Sequence, residues 1–396
     1  MLKHLKTKKL DMLSIFLENR NALPFYNTLF NTISDKAIYK NEDRQLNNSN
    51  LEVACVYDFP DYLQGAVKDP KWKVNTINSF KGSMILLKNY SGVEDYLKCN
   101  FSSKRRSKFR TYQKRLESVF NITYKTYYGH IELEEYKSLF KVFRSLIESR
   151  FAEKGVKNYD LTRWDVYYKI AYPLIQKKEA ALFVIYHNNQ PISVCLNLIR
   201  GQVIYGYIRA YDIDYSKFHL GFIDFIKQLH WCYKNNIYVF DLLKGNYPYK
   251  AQLADGSYYF QKHVIYNTGN FMSIVCGQLM SLRIKVFYKL VNVLKKYHVD
   301  KLYHAFLNYR YRDNSKPSPI NHTLTIANIH NFESIGVKVR LNDEQYAFLK
   351  RPIYNLLYKH SKPIDKVEIF KSTTEIDTFY IKGIEHIQKI SFQFHK

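Results

Sequence analysis

The spacing of apolar and polar positions predicts mixed α and β structure in the first part of the chain. Up to about residue 90, strand-like runs at Leu51–Tyr57 and Met84–Leu87 are separated by turn residues. Two long helices are predicted next. One covers a basic segment free of Gly and Pro, Ser102–Glu117, and the other covers Leu133–Phe151, where apolar residues recur at helical spacing.

The pattern changes to alternation after residue 180. Strands are predicted over Ala181–His187, Ile192–Ile199 and Val203–Tyr211, and the short links between them indicate an antiparallel meander. A polar loop then leads to a helix over 221–234 whose apolar residues share one face, and a strand follows at Ile237–Leu243. We expect this last strand to return parallel to the third strand of the meander.

A basic amphipathic helix is predicted over Phe271–Tyr297, where apolar residues recur at helical spacing among Lys and Arg residues. Because such a stripe usually packs on its own domain, we expect the helix to be mostly buried. The alternative is weak peripheral contact with an anionic membrane. The turn-rich stretch Asp313–Pro319 indicates a linker, and residues 320–396 indicate a small α+β appendage.

Charge alone does not identify a partner for this chain of 396 residues, although its net charge is +25. Such a surplus suits a polyanion, but an excess of residues with A/T-rich codons would produce it as well. Five scattered cysteines argue against a disulfide framework and a structural zinc, and for a reducing compartment. The N-terminal apolar run is short for a signal peptide, and no segment has the ~20 apolar residues of a membrane span. We therefore expect a cytoplasmic protein without a metal.

Several ordered motifs resemble the GNAT acyltransferase superfamily, in particular its CelD-like branch (BioF-like acetyltransferase domains), which is related to FemAB-type transferases. The motifs are the basic helix KRRSKFRTYQKRLE, a strand that ends in Ala210-Tyr211-Asp212, a loop that ends at Gly221, and the closing segment FDLLKGNYPYK up to Lys250. Together they cover Gly92–Lys250. One departure is that His219-Leu220 stands where the family has Ser-Pro, which would lower cofactor affinity if the serine hydroxyl takes part in binding.

The resemblance implies an α/β fold (α+β, with a mixed sheet) that contains two GNAT-like halves, and the C-terminal appendage indicated above would follow them. We expect an N-terminal GNAT-like half with the basic helix over residues 1–150 and a catalytic half over 151–270. An amphipathic helical segment with a linker would cover 271–319, and the small appendage 320–396.

The resemblance also implies binding of acetyl-CoA or another acyl-CoA at the loop Ser216–Gly221, which leads into the helix predicted over 221–234. A glycine-containing loop that leads into a helix offers unpaired N–H groups and the positive end of a dipole, which suit a pyrophosphate. A bulge at Gly206 would splay the flanking strands and free N–H groups for the thioester carbonyl. The alternative for Gly221 is that it merely eases the turn. The expected cofactor-binding residues are Gly206, Tyr207, Ser216, Lys217, Phe218, His219, Leu220, Gly221 and Phe222.

Three residues of the closing segment are candidates for catalysis. Asp241 would deprotonate or orient the acceptor amine, Tyr249 would protonate the departing thiolate, and Lys250 would hold a phosphate or an acidic acceptor. The alternative for Asp241 is a capping role or a salt bridge with Lys244 or Arg209. The expected substrate-binding residues are Arg106, Arg110, Arg209, Tyr211, Lys244 and Gly245.

The function predicted from these features is acyl transfer from an acyl-CoA to an amine, or less readily a hydroxyl, of a glycan or small-molecule precursor. The basic face Arg106, Arg110 and Lys114 keeps open a FemAB-like transferase that uses aminoacyl-tRNA. A non-catalytic polyanion-binding protein is a third reading. The histidines His187, His230 and His263 occur singly, without the spacing of metal ligands.

Overall fold

The computed structural model describes residues 7–40, 52–67, 69–155, 158–245, 248–297, 322–329 and 336–394. The strands are β1 Thr7–Asp11, β2 Tyr26–Asn31, β3 Lys36–Lys40, β4 Val53–Pro60, β5 Leu63–Val67, β6 Trp72–Leu86, β7 Ile122–Tyr127, β8 Ala180–His187, β9 Gln190–Arg200, β10 Val203–Tyr211, β11 Val239–Lys244, β12 Gly256–Asn267, β13 His322–Ile329, β14 Gly336–Val339, β15 Glu368–Ser372, β16 Thr378–Lys382 and β17 Ile387–Phe394. The helices are α1 Val93–Asn100, α2 Ser103–Val119, α3 Leu133–Lys154, α4 Tyr159–Thr162, α5 Trp164–Gln176, α6 Leu220–Lys234, α7 Pro248–Leu253, α8 Phe271–Lys296 and α9 Lys350–His360.

A nine-stranded mixed sheet forms the centre of the protein, in the order β1-β4-β12-β6-β11-β10-β9-β8-β7. Strands β8 and β9 are buried along nearly their whole length because helices cover both faces. Alternate side chains divide accordingly: Leu182 and Leu196 lie in the core under α3 and α5, whereas Phe183 and Cys195 lie in the core with α1, α2 and α6. The mixed α/β fold class with a large sheet is therefore confirmed.

The strand order predicted around α6 is also confirmed. Strands β8, β9 and β10 pair antiparallel, and β11 returns parallel to β10. The sheet continues beyond β11 through the long strand β6, which comes from the N-terminal part of the chain and pairs with both β11 and β12. One sheet thus combines strands from both predicted halves, while the boundaries of those halves stay a prediction.

The C-terminal appendage is confirmed as a small layer with its own sheet, in the order β13-β17-β16-β15-β14, and with helix α9. Its core is continuous with the core beneath the 213–218 turn: Ile353 and Tyr354 of α9 pack with Tyr215 and Phe218. The predicted linker Asp313–Pro319 lies outside the described residues. A further three-stranded sheet, β3-β2-β5, belongs to the N-terminal part.

The expectation that the amphipathic helix is mostly buried is wrong. Helix α8 buries Ser273, Gly277 and Ser281 and exposes large residues such as Leu279 (54%) and Leu290 (55%). The reason is the stripe of small residues, which lets β12 approach closely. A Cβ atom on Gly277 would stand 2.5 Å from Cδ1 of Tyr266. No helix in the described residues is long and apolar enough to cross a membrane.

Candidate active site

Strands β10 and β11 pair only at their beginnings and then diverge. Their register ends at the pair Tyr205 and Asp241, although β10 continues to Tyr211 and β11 to Lys244. The pairing of β10 with β9 shifts between Gly206 and Ile208, so Tyr207 is the extra residue of a bulge. The bulge predicted at Gly206 is therefore present, and a gap opens between the two parallel strands beyond it.

Helix α6 begins beside this gap with N–H groups that have no backbone partner. His219, in the left-handed region at φ 55°, turns the chain into the helix, and its carbonyl accepts hydrogen bonds from the N–H groups of Phe222 and Ile223 at 2.9 and 3.4 Å. Within the described residues, the N–H groups of Leu220 and Gly221 donate to no carbonyl. Such groups, at the positive end of a helix dipole, suit an anion.

Gly221 is not required by the local backbone geometry, because the left-handed residue at this turn is His219. A Cβ atom on Gly221 would meet only Cε1 of Tyr211, at 3.9 Å. The glycine instead keeps the surface bare at the start of the helix, where a ligand would contact the two N–H groups. This observation weakens the alternative in which Gly221 merely eases the turn.

An open groove of about 510 Å³ runs between α2 and the start of α6. It is lined by Lys104, Ser107, Lys108, Thr111, Tyr112, Lys217, His219 and Tyr358. The His219 and Tyr112 rings lie 4.1 Å apart, and partial burial, Lys217 and Lys108 lower the pKa of His219. An adjoining groove of about 330 Å³ adds Ser102, Arg105, Phe109 and Phe222. The start of α6 thus opens onto a positively charged, aromatic surface.

Arg106 and Arg110 are not among the residues that line these grooves. Arg106 donates to the carbonyl of Phe101 at 2.7 Å and so closes the end of α1, while Arg110 is exposed. Helix α2 packs through Phe109, Leu116 and Val119. This packing turns Lys104 and Lys108 toward α6, whereas the charge spacing alone had favoured the face with Arg106 and Arg110.

The remaining residues of the predicted cofactor loop have different surroundings. The side chains of Phe218 and Leu220 are buried in the core shared with the appendage. The carbonyl of Ser216 accepts the N–H of His219 at 3.2 Å. Phe222 stacks on Phe109 with ring centroids 5.1 Å apart. Phe218 and Leu220 therefore anchor the loop in the core, whereas Lys217 and His219 line the groove.

Asp241 is fully buried, with both carboxylate oxygens hydrogen-bonded. One oxygen accepts from the Tyr62 hydroxyl at 2.6 Å, the other accepts from the Leu243 N–H at 2.7 Å, and the Tyr258 hydroxyl contacts both. Burial raises the pKa of Asp241 to about 6, against the opposing effect of these hydrogen bonds and of Lys250. The arrangement fixes the end of β11. Sequence reasoning missed Tyr62 and Tyr258, because nothing local marks them as partners of Asp241.

The two basic residues considered as salt-bridge partners of Asp241 pair with other carboxylates. Lys244 pairs with Asp58 at 2.5 Å, and Arg209 pairs with Asp224 at 3.4 Å. Gly245 is exposed and continues the turn after β11 with φ 119°.

Lys250 lies beneath this turn and is buried. Its Nζ donates to the carbonyls of Leu242 and Lys244 at 2.5 and 2.7 Å. Burial lowers the pKa of Lys250 to about 8, although Asp241 opposes the shift. Tyr249, on the first turn of α7, is 43% exposed and lies within electrostatic reach of Arg209. Of the three predicted catalytic residues, Tyr249 is the one whose side chain is open to solvent.

Arg209 and Tyr211 line the β10 side of the gap. The Arg209 guanidinium lies 3.4 Å from the carbonyl of Gly221, so it ties β10 to the first turn of α6. The guanidinium of Arg150, which the sequence did not indicate, stacks over the ring of Tyr211 at 4.4 Å.

At the bulge, the hydroxyl of Tyr207 donates to the buried carboxylate of Glu18. Arg163 also binds that carboxylate, at 2.6 and 2.8 Å. The side chain of Tyr207 is thus an anchor for the bulge.

The described residues contain no group of His, Cys, Asp and Glu side chains that could hold a metal ion. The arrangement thus offers an anion site at α6, a gap between two strands and an exposed phenol near that gap.

Comparisons with solved structures found distant likenesses. FemX is 10% identical over 60% of this chain and 76% of its own, with a TM-score of 0.39. A tandem GNAT protein from the clavulanic acid biosynthesis pathway is 9% identical over 55% of this chain and 64% of its own, with a TM-score of 0.28. The C-terminal domain of a putative lysylphosphatidylglycerol synthetase from Agrobacterium fabrum is 8% identical over 60% and 73%, with a TM-score of 0.37. Scores this low carry no argument about activity.

The comparison of sequence with family models gives a match that coincides with the site. No curated protein matches the chain. Residues 103–251 match the family described as acetyltransferase (GNAT) domain. The matched range includes the basic helix α2, the divergent strands β10 and β11, helix α6 and residues Tyr249 and Lys250 of α7. Residues 103–251 are therefore similar to a GNAT acetyltransferase domain.

Proposed function

We propose that the protein is an N-acyltransferase that uses acetyl-CoA or another acyl-CoA and acts on an amine, less readily a hydroxyl, of a glycan or small-molecule precursor. The observation that carries this proposal is the pair of unpaired N–H groups, at Leu220 and Gly221, beside the gap between β10 and β11. Acyl-CoA would supply an acyl group activated as a thioester. Its transfer to an amine forms a C–N bond, breaks the C–S bond, removes a proton from the amine and delivers one to the thiolate.

The residues around the gap fit the parts of such a ligand. The N–H groups of Leu220 and Gly221 would bind the pyrophosphate, and Lys104, Lys108 and Lys217 would bind a further phosphate in the groove. Main-chain N–H groups at the bulge would polarise the acyl carbonyl.

The side chains named for catalysis divide into one reacting group and two positioning groups. Tyr249, exposed beside Arg209, would protonate the departing thiolate. Asp241 and Lys250 are buried and hydrogen-bonded to β11 and its turn, so we assign them to holding this edge of the gap. Direct deprotonation of the amine by Asp241 is the less favoured role, because both of its oxygens are occupied.

A transferase that uses aminoacyl-tRNA is the second candidate, and the groove is the observation that favours it. Lysines interleaved with aromatic rings suit a phosphate backbone with exposed bases.

The test is a thermal-shift panel with coenzyme A and with tRNA on the wild-type protein, Gly221→Ala and Gly92→Ala. Gly92 is a matched control because a Cβ there would meet no atom within 4 Å. Coenzyme A at 100 times its dissociation constant should stabilise the wild type by ~2.7 kcal/mol. It should stabilise Gly92→Ala equally and Gly221→Ala much less. Stabilisation by tRNA without stabilisation by coenzyme A would favour the second candidate. If coenzyme A stabilised both variants equally, the start of α6 would not be its binding site.

A further inference from the structure

Helix α8 carries a stripe of large apolar side chains that face solvent. We call the outer face the set Leu279, Leu282, Val286, Leu290, Val293 and Tyr297, whose exposed fractions lie between 44% and 72%. These residues recur every three or four positions and so share one side of the helix. The opposite side, with Ser273, Gly277 and Ser281, packs on β12. The helix therefore docks through its small residues and presents its large ones outward, which marks an interaction surface.

The charges of α8 are all positive. The helix contains Arg283, Lys285, Lys289, Lys295 and Lys296, and neither Asp nor Glu. By helical spacing Lys285, Lys289 and Lys296 follow one edge of the outer face, and Arg283 lies at the other edge. An apolar band bordered by cations is the pattern of a helix that lies in a membrane interface.

Charge complementarity distinguishes among the partners that would cover this face. A second copy of α8 would bring the same lysine edges together, with no carboxylate on either helix to offset them. The segment 298–321 that follows is itself net positive in sequence, with Lys301, Arg310, Arg312 and Lys316 against Asp300 and Asp313. An anionic bilayer satisfies both features at once, because headgroups pair with the cations and the acyl region accepts the apolar band.

We infer that the outer face of α8 binds an anionic lipid surface, with the helix lying in the plane of that surface. At 26 residues the helix is ~39 Å long, so its cations can contact several headgroups together. This binding is independent of the proposed transferase chemistry, and it can be measured without any substrate.

The test is co-sedimentation of the full chain with vesicles, at low and moderate salt. One vesicle population is phosphatidylcholine alone, and the other contains phosphatidylglycerol in addition. The charge variant combines Lys285→Gln, Lys289→Gln and Lys296→Gln. The apolar variant combines Leu282→Ser, Val286→Ser and Leu290→Ser. The matched control combines Lys141→Gln, Lys169→Gln and Lys177→Gln, which removes the same charge from exposed lysines on α3, on α5 and just after α5. A melting curve of each variant verifies folding, since exposed substitutions change stability little.

We expect the wild type and the control to pellet with the anionic vesicles and to be released by salt. The charge variant should lose on the order of 100-fold in partition coefficient, because each Lys near an anionic surface contributes about fivefold. The apolar variant should fail to pellet at either salt concentration. Equal pelleting of all four proteins would overturn the inference in favour of general basic charge. Absence of wild-type pelleting, or a wild-type dimer that only the apolar variant abolishes, would overturn it as well.

Discussion

The buried carboxylate of Asp241 gives the folding stability a pH dependence that Asp241→Asn should remove. Burial raises its pKa from 3.8 to about 6, so ionisation is less favourable in the folded protein than in the unfolded chain. The stability that Asp241 contributes is therefore fully present below the unfolded pKa and is lost as the pH rises through about 6. Two pKa units at ~1.4 kcal/mol each correspond to ~3 kcal/mol over this window.

The assay is urea unfolding of the wild type and of Asp241→Asn across a series of pH values. The variant also replaces one acceptor oxygen by an NH2 group, so it loses a hydrogen bond such as that from Tyr62, but that loss is nearly constant with pH. The difference in unfolding free energy, wild type minus variant, should thus fall by ~3 kcal/mol as the pH rises from about 3 to about 7.

Tyr62→Phe provides an internal check on the same window. Because the hydrogen bond from Tyr62 lowers the pKa of Asp241, its removal should move the fall in stability to higher pH. Curves for the wild type and Asp241→Asn that stay parallel across the series would refute the reasoning, since they would show that burial does not penalise this charge.

Three further substitutions test the packing and the site. Gly277→Ala should destabilise the protein by about 1–3 kcal/mol, because the added Cβ would stand 2.5 Å from the Tyr266 ring; unchanged urea unfolding would mean that α8 does not pack on β12 as described. Tyr249→Phe should lower kcat for acyl transfer while the Kd of coenzyme A stays nearly constant, and an unchanged kcat would remove its assigned role. Lys108→Gln should weaken coenzyme A binding more than Lys141→Gln does. Equal affinities of the two variants for coenzyme A, measured by calorimetry, would show that the groove is not part of the coenzyme A site.

The elements nearest the site could be predicted because their patterns are local. In strands β8 to β10, apolar residues alternate with polar ones or follow one another without interruption, and short turns separate the strands. The range predicted for β10, Val203–Tyr211, agrees with the structure. The bulge at Gly206 was marked by a glycine within a strand, and the parallel return of β11 followed from the intervening helix.

The remaining features depend on distant pairings that the local sequence does not express. Strand β6 enters the sheet between β11 and β12, and Tyr62 reaches Asp241 across 179 positions of sequence. Helical periodicity also cannot tell which side of a helix faces the protein. It selected Arg106 rather than Lys104 on α2, and on α8 it suggested burial of the large residues, whereas Gly277 and its neighbours form the packed side.

The most direct test of the acyl-CoA site is amide hydrogen exchange with and without acetyl-CoA. Two N–H groups carry the proposal, so binding should slow exchange in peptides that contain Leu220 and Gly221, and also in peptides that cover the bulge at Tyr207. Protection should be lost in Gly221→Ala and kept in Gly92→Ala. Exchange at Leu220 and Gly221 that is unaffected by acetyl-CoA, or protection confined to other parts of the chain, would contradict the account.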